Sequence, residues 1–131
     1  MQPKIVLVET SHPGNIGACA RAMKTMGLSA LTLVKPQTFP DPVAFARASG
    51  AVELLEHAQR CDSLARAVAD CQRVVGITAR DRRLSAPVLS PKRLMQELNT
   101  QYPGVQTAFV FGRERNGLTN EEIDLCHSVC T

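Results

Sequence analysis

The sequence predicts an α/β fold built on a parallel sheet, and three observations carry that expectation. Short β-branched runs recur at residues 4–9, 31–34, 73–78 and 106–111, continuous rather than alternating, as strands buried on both faces require. Helical patterns with recognisable starts and stops separate them. Strands alternating with helices imply crossover connections, hence parallel pairing with helices on both faces of a Rossmann-like sheet.

Each element has a local reason. Residues 4–9 (Lys-Ile-Val-Leu-Val-Glu) form the first strand, and residues 10–14, with Pro13 and Gly14, form a loop. Asn15 is the expected cap of a helix over residues 16–26 that Gly27 stops. Gly17, Ala18, Ala20 and Ala22 make that helix thin enough to lie close on the sheet. Residues 31–34 are a second strand, and a proline-containing loop leads to a short helix at 43–49 ended by Gly50. Residues up to 59 carry no clear pattern. Asp62 is expected to cap a helix through about Asp70, before the strand at 73–78 and a loop at 79–89. Ser90 with Pro91 starts a helix to about Leu98. Tyr102-Pro103-Gly104 is a turn into the strand at 106–111, and Thr119-Asn120-Glu121-Glu122 is a capping box. Residues 127–131 resume a strand-like pattern.

Bulk properties narrow the class. At 131 residues with 44% apolar composition, one domain with a real core is expected, residues 1–131 as a whole. No apolar run approaches the length a membrane span needs, and the opening Met-Gln-Pro-Lys leads into a strand without a secretory pattern. The five cysteines are an odd number with no CxxC pair, which fits free thiols in a reducing cytoplasm. A strand over residues 126–130 would send Cys126 and Cys130 to one face and His127 to the other, so no metal is expected there. Net charge is only +3, too mild to announce a nucleic-acid binder.

Placement of charge says more than its sum. In an open parallel sheet, ligands gather at the carboxyl ends of strands, where three loops fall: 10–17, 79–89 and 112–118. Arg80, Arg82 and Arg83 cluster in the second, and Arg113 and Arg115 flank Glu114 in the third. Solvated surface charge would account for such clusters; on this edge they point to anion binding. The first loop, His12-Pro13-Gly14-Asn15-Ile16-Gly17, joins strand to helix as a phosphate loop would. It lacks GxxxxGK[ST] and GxGxxG, which removes support for a nucleotide triphosphatase or an ordinary dinucleotide enzyme. Arg21 lies roughly 9 Å up the helix from Asn15 at 1.5 Å per residue, and helical side chains lean back toward the amino terminus. It can therefore reach the loop, or simply pair with a surface carboxylate. Gly112 lets a ligand approach backbone amides, Gly117 can take positive φ, and Glu114 between two arginines stays ionised and can orient one of them. As a bare pattern, this is also a polar turn.

Together the pieces resemble a known family. Asn15-x-Gly17-x-x-x-Arg21, followed about ninety residues later by Phe111-Gly112-Arg113-Glu114-x-x-Gly117-Leu118, resembles motifs one and two of the TrmH-like branch of the SPOUT superfamily. The run from Ile5-Val6-Leu7-Val8-Glu9-Thr10-Ser11-His12-Pro13-Gly14-Asn15-Ile16-Gly17 through Arg21-Ala22-Met23-Lys24-Thr25-Met26-Gly27-Leu28 is closer still to the members that methylate the ribose of C or U at position 32 of the tRNA anticodon loop. The resemblance covers the whole chain, Thr78-Ala79-Arg80 included.

That resemblance implies an α/β-knot fold whose carboxyl end threads a trefoil knot, and an RNA 2'-O-methyltransferase using S-adenosyl-L-methionine. Cofactor-binding falls to Ile77, Thr78, Ala79 and Gly112. Catalysis falls to Arg21 on phosphate and developing alkoxide, Asn15 orienting substrate or Arg21, and Glu114 holding the arginine network. Arg80, Arg82, Arg83, Arg113 and Arg115 would contact tRNA. A cytoplasmic homodimer with sites at the subunit interface is the expected assembly, the small-residue helix serving its packing. The family's third motif and the knot are expected to follow Thr131, so residues 1–131 alone are expected to bind cofactor weakly and to be inactive. Another TrmH-like tRNA or rRNA ribose methyltransferase, or a non-catalytic RNA-binding α/β module, is the alternative.

Overall fold

Lys4–Val8 forms strand β1, every residue of it buried, and the rest of the fold is arranged on either side of it. The computed structural model describes residues 2–78, 87–100 and 104–130, without the side chains of 98–100. The remaining strands are β2 (Leu31–Val34), β3 (Gln59–Cys61), β4 (Arg73–Ile77), β5 (Val88–Leu89), β6 (Thr107–Phe111) and β7 (Ser128–Cys130). They make one sheet in the order β3-β2-β1-β6-β4-β7-β5, with every pairing parallel. The strands at 59–61 and 88–89 were not expected from the sequence. Both are edge strands of two or three residues, with mostly exposed or half-buried side chains, so no apolar run marks them.

The helices are α1 (Pro13–Thr25), α2 (Pro42–Ala48), α3 (Val52–Glu56), α4 (Leu64–Ala67), α5 (Pro91–Thr100) and α6 (Asn120–Asp124), with a 3-10 turn at Ser49–Ala51. The two-residue alternation of each strand sorts them onto two faces. Ile5, Leu7, Leu31 and Leu33 pack under Ile16, Ala20 and Met23 of α1 and the buried residues of α2 and α3. Val6, Val8, Val74 and Val110 pack under Leu64 and Ala67 of α4 and Ile123 of α6. Leu94 of α5 covers Val75 and Cys130.

Local chemistry corrects several expectations. His12, not Asn15, caps α1: its Nδ1 accepts the Gly14 N–H at 3.0 Å, and Pro13 takes the first helical position. Asn15 thus sits within the first turn with its side chain available elsewhere. Ser63 rather than Asp62 caps α4, which stops at Ala67; Lys4 Nζ donates to the Ala67 carbonyl at 2.9 Å and to Asp70 at 2.7 Å. Gly17 serves α2 rather than the sheet, since a Cβ there would fall 2.1 Å from the Ala44 carbonyl oxygen. Ala20 is the fully buried small residue of α1, while Ala18 and Ala22 stay at its surface. Cys126 and Cys130 lie on opposite faces, because the chain turns at Cys126-His127 and the strand alternation begins only at Ser128. Gly27 takes φ +75° after the α1 carboxyl end, and the capping box at Thr119 and Glu122 forms as expected.

The order of strands reverses direction between β1 and β6. From β1 the chain steps outward to β2 and β3, and all later strands lie on the other side. The crevice at the carboxyl ends of β1 and β6 is therefore the switch point at which such sheets bind ligands.

Candidate active site at the carboxyl edge of the sheet

At that crevice Glu114 ties two distant loops together. Its carboxylate accepts the N–H groups of Ser11 (3.1 Å) and His12 (2.9 Å) and the side-chain amide of Asn15 (3.0 Å). Burial opposes its ionisation, but the donations from His12, Ser11 and Asn15 outweigh that and bring its pKa down to about 2. Glu114 is thus ionised as the sequence suggested, held by backbone and Asn15 donors rather than by its flanking arginines. The loop that carries it is closed by paired hydrogen bonds between Arg113 and Gly117, at 3.0 and 2.9 Å. Gly117 takes φ +66°. A Cβ on Gly112 would lie 2.2 Å from the Gly117 carbonyl carbon, so the loop's own backbone requires this glycine.

Arg113 supplies the second tie. Its guanidinium pairs with Glu9 at the end of β1, and with Glu122 of α6 at 2.9 and 3.1 Å. Hydrogen bonding to Glu122, then to Glu9, raises its pKa further. Glu122 also caps α6, accepting the Thr119 N–H at 2.7 Å. Glu9 holds positive φ (50°) where the chain leaves β1 and turns toward Ser11 and His12. Sequence reasoning missed both acids here. The capping box identified Glu122 only as a cap, and nothing in the local pattern marks Glu9. Arg113, expected on RNA, has its charge balanced inside the protein. Arg115 and Asn116 border a polar cleft of about 500 Å³ shared with Gln37, Ser11 and His12.

Arg21 lies apart from this network. It is exposed on α1 and shares a depression with Arg47 of α2, Thr25 and Met26. Among the described residues, neither Arg21 nor Arg47 has a hydrogen bond or ion pair from its guanidinium. Asn15 is thus brought to Glu114 and Arg21 is not.

Beside Glu114 runs an apolar groove of about 440 Å³ between α1 and the ends of β1 and β6, lined by Leu7, Ala18, Cys19, Met26 and Phe111. Phe111 is 38% exposed, unusual for a ring on a central strand, and pairs in register with half-buried Ile77. The Thr78 N–H donates to the Cys130 carbonyl at 3.0 Å, and Gly112 follows Phe111. Ile77, Thr78 and Gly112 therefore share one stretch of the edge; Ala79, Arg80, Arg82 and Arg83 lie outside the described residues. Burial pushes the Cys19 thiol up to about 11, which leaves it a poor nucleophile at neutral pH.

Known proteins resemble this chain in sequence and fold. A tRNA (cytidine/uridine-2'-O-)-methyltransferase TrmJ from Photorhabdus laumondii subsp. laumondii is 50% identical over 124 residues, covering 95% of this chain and 52% of that protein. The crystal structure of TrmJ from Z. mobilis ZM4 superposes with a TM-score of 0.91 at 39% identity, covering 100% of this chain and 58% of that one. The SpoU methyltransferase AviRb from Streptomyces viridochromogenes, solved in complex with the cofactor AdoMet, shares the fold at a TM-score of 0.66 and 21% identity, over 98% of this chain and 47% of that one. The chain spans about half the length of the curated relatives it matches. The model of the SpoU rRNA methylase family matches residues 2–131, and with that match across the sheet and both loops of the crevice, the chain belongs to this family.

Proposed function

We propose that this chain carries the catalytic domain of an S-adenosyl-L-methionine-dependent tRNA ribose 2'-O-methyltransferase acting on C or U at position 32 of the anticodon loop. The observation that carries the reading is the Glu114 junction, which locks the first turn of α1 to the loop after β6 at the switch point of the sheet. The TrmJ relatives supply the substrate class, and tRNA as substrate makes the cytoplasm the compartment. Among the described residues no helix is long and apolar enough to cross a membrane.

The edge suits an adenosyl group. Phe111 and Ile77 offer adjoining apolar surface for a flat base, and Thr78 and Gly112 bring backbone polar groups alongside. S-adenosyl-L-methionine, when bound, supplies an electrophilic methyl group. The protein's task is to hold the ribose 2'-oxygen in line with it and to stabilise charge as the hydroxyl proton passes to solvent water. Arg21 cannot serve as the base, since a guanidinium does not give up its proton near neutral pH. It holds phosphate and stabilises the developing alkoxide. Asn15, its amide oriented by Glu114, positions the substrate side of the first turn. Arg113 keeps the loop in place through Glu9 and Glu122, and Arg115 with Arg80, Arg82 and Arg83 extends the RNA contact. A homodimer in which two copies share a site accommodates an Arg21 that stands apart from Glu114.

The test uses the full-length protein with tRNA and labelled cofactor. Arg21→Ala lowers ribose methylation about 10²–10³-fold, the loss typical of one charge-stabilising donor, while cofactor affinity holds. Methylation at the normal rate removes Arg21 from the site, and methylation of rRNA in place of tRNA redirects the substrate assignment.

A further inference from the structure

Arg21 and Arg47 come from neighbouring helices and line one depression of about 540 Å³ on the outer surface of α1 and α2. The helix packing puts them there. Where α1 carries Gly17, the Arg47 Cβ comes within 2.8 Å of the position a Gly17 Cβ would take. Arg47 Nη1 then reaches to 3.6 Å from the corresponding position on Gly14. The Arg47 guanidinium therefore lies over the first turn of α1, at the positive end of that helix.

Acids in the neighbourhood have other partners. Glu53 pairs with Lys24 at 2.7 Å, and Asp41 accepts the Val43 N–H at the start of α2 at 2.8 Å. Two guanidinium groups border this depression, and among the described residues neither is balanced by a carboxylate. Ala18 and Ala22 keep that surface low, so a bulky anion can come down between the guanidinium groups.

We propose that Arg47 joins Arg21 in a two-arginine clamp for a phosphodiester group of the bound RNA. Arginine forks match phosphate oxygens with two donors each. No aromatic side chain lines this depression, so the clamp fixes the position of the RNA backbone without selecting a base. The proposal rests on the reading of the protein as an RNA methyltransferase, and Arg47 is its positioning residue.

The experiment measures tRNA binding by the full-length protein across a range of salt concentrations, alongside steady-state methylation. Arg47→Ala is expected to weaken tRNA binding several-fold and to reduce the slope of log affinity against log salt by about one. It raises KM for tRNA by a larger factor than it lowers kcat, and cofactor affinity stays at the wild-type value. Arg47→Lys restores the slope, because the slope counts charge. An unchanged slope in Arg47→Ala overturns the clamp, as does a fall in kcat with KM unmoved. If the wild type binds tRNA without methylating it and Arg47→Ala still lowers the slope, the clamp stands and the enzymatic reading falls. If the wild type binds no RNA, both fall.

Discussion

Arg113 and Arg21 are the same side chain near the same edge of one sheet, put to opposite uses. Arg113 is held between Glu9 and Glu122, a fifth exposed, with its charge balanced by two carboxylates. Arg21, like Arg47 beside it, faces solvent with no partner among the described residues. The contrast separates frame from reach. A charge cancelled inside the protein fixes the shape of a loop, while a charge left open awaits a ligand. The family motifs imply a catalytic role for Arg21 and an RNA contact for Arg113. The structure assigns Arg113 to the frame.

The sharpest way to break the comparison is to remove Arg113. Arg113→Ala leaves the Glu9 and Glu122 carboxylates facing each other without a counter-charge, and both are largely or partly withdrawn from water. Fully buried pairs broken in this way cost about 3–5 kcal/mol, and partial solvent access here reduces that to about 2 kcal/mol. Denaturant unfolding should show a lower midpoint with an unchanged m-value. A loss below about 0.5 kcal/mol would place Arg113 with the solvated arginines and erase the distinction.

How far the sequence foresaw this frame depends on the range of each interaction. The central strands, α1 and the capping box at Thr119 are written in local patterns: continuous apolar runs, a stop at Gly27, a Thr-x-x-Glu spacing. The edge strands Gln59–Cys61 and Val88–Leu89 have no such pattern, because their place comes from hydrogen bonds to a neighbour rather than from burial. In the site, the strand-end rule brought the loops that carry Asn15 and Glu114 to one edge, while the bond between the two side chains was not foreseen. Nor were Glu9 and Arg47, since each acquires its role from a partner far away in the chain: Arg113 lies 104 residues from Glu9. The donors to Glu114 were also illegible, being backbone amides that any residue carries.

A smaller effect sharpens the same division, because Glu114 is a frame residue with a titratable signature. Its folded pKa of about 2 lies below the ordinary 4.5. A depressed carboxylate stabilises the fold fully above its unfolded pKa, and the contribution is lost as pH falls through the folded one. Wild type should therefore exceed Glu114→Gln by about 1 kcal/mol at neutral pH, a figure reduced from the full shift because the carboxylate is solvent-exposed. The gap should narrow as pH falls from 4.5 toward 2. A constant gap across that window would mean that the charge of Glu114 does not hold the loops.

The smallest expected effect belongs to the open arginines, and it tests the other side of the comparison. In Arg47→Ala the Cβ that rests against Gly17 survives, so the α1–α2 contact is kept. Arg21 packs no buried surface that alanine would leave empty. Each single replacement should change unfolding free energy by less than about 0.5 kcal/mol, the usual range for surface sites without special contacts. The double replacement removes two like charges that share one depression without a balancing carboxylate among the described residues, so at low ionic strength it should be neutral or stabilising by a few tenths of a kcal/mol. Any gain should vanish by about 0.5 M salt, where screening acts over a few ångströms. A loss above about 1 kcal/mol from either single change would reveal an internal partner. The open arginine would then be one more member of the frame, and the phosphate clamp would lose its basis.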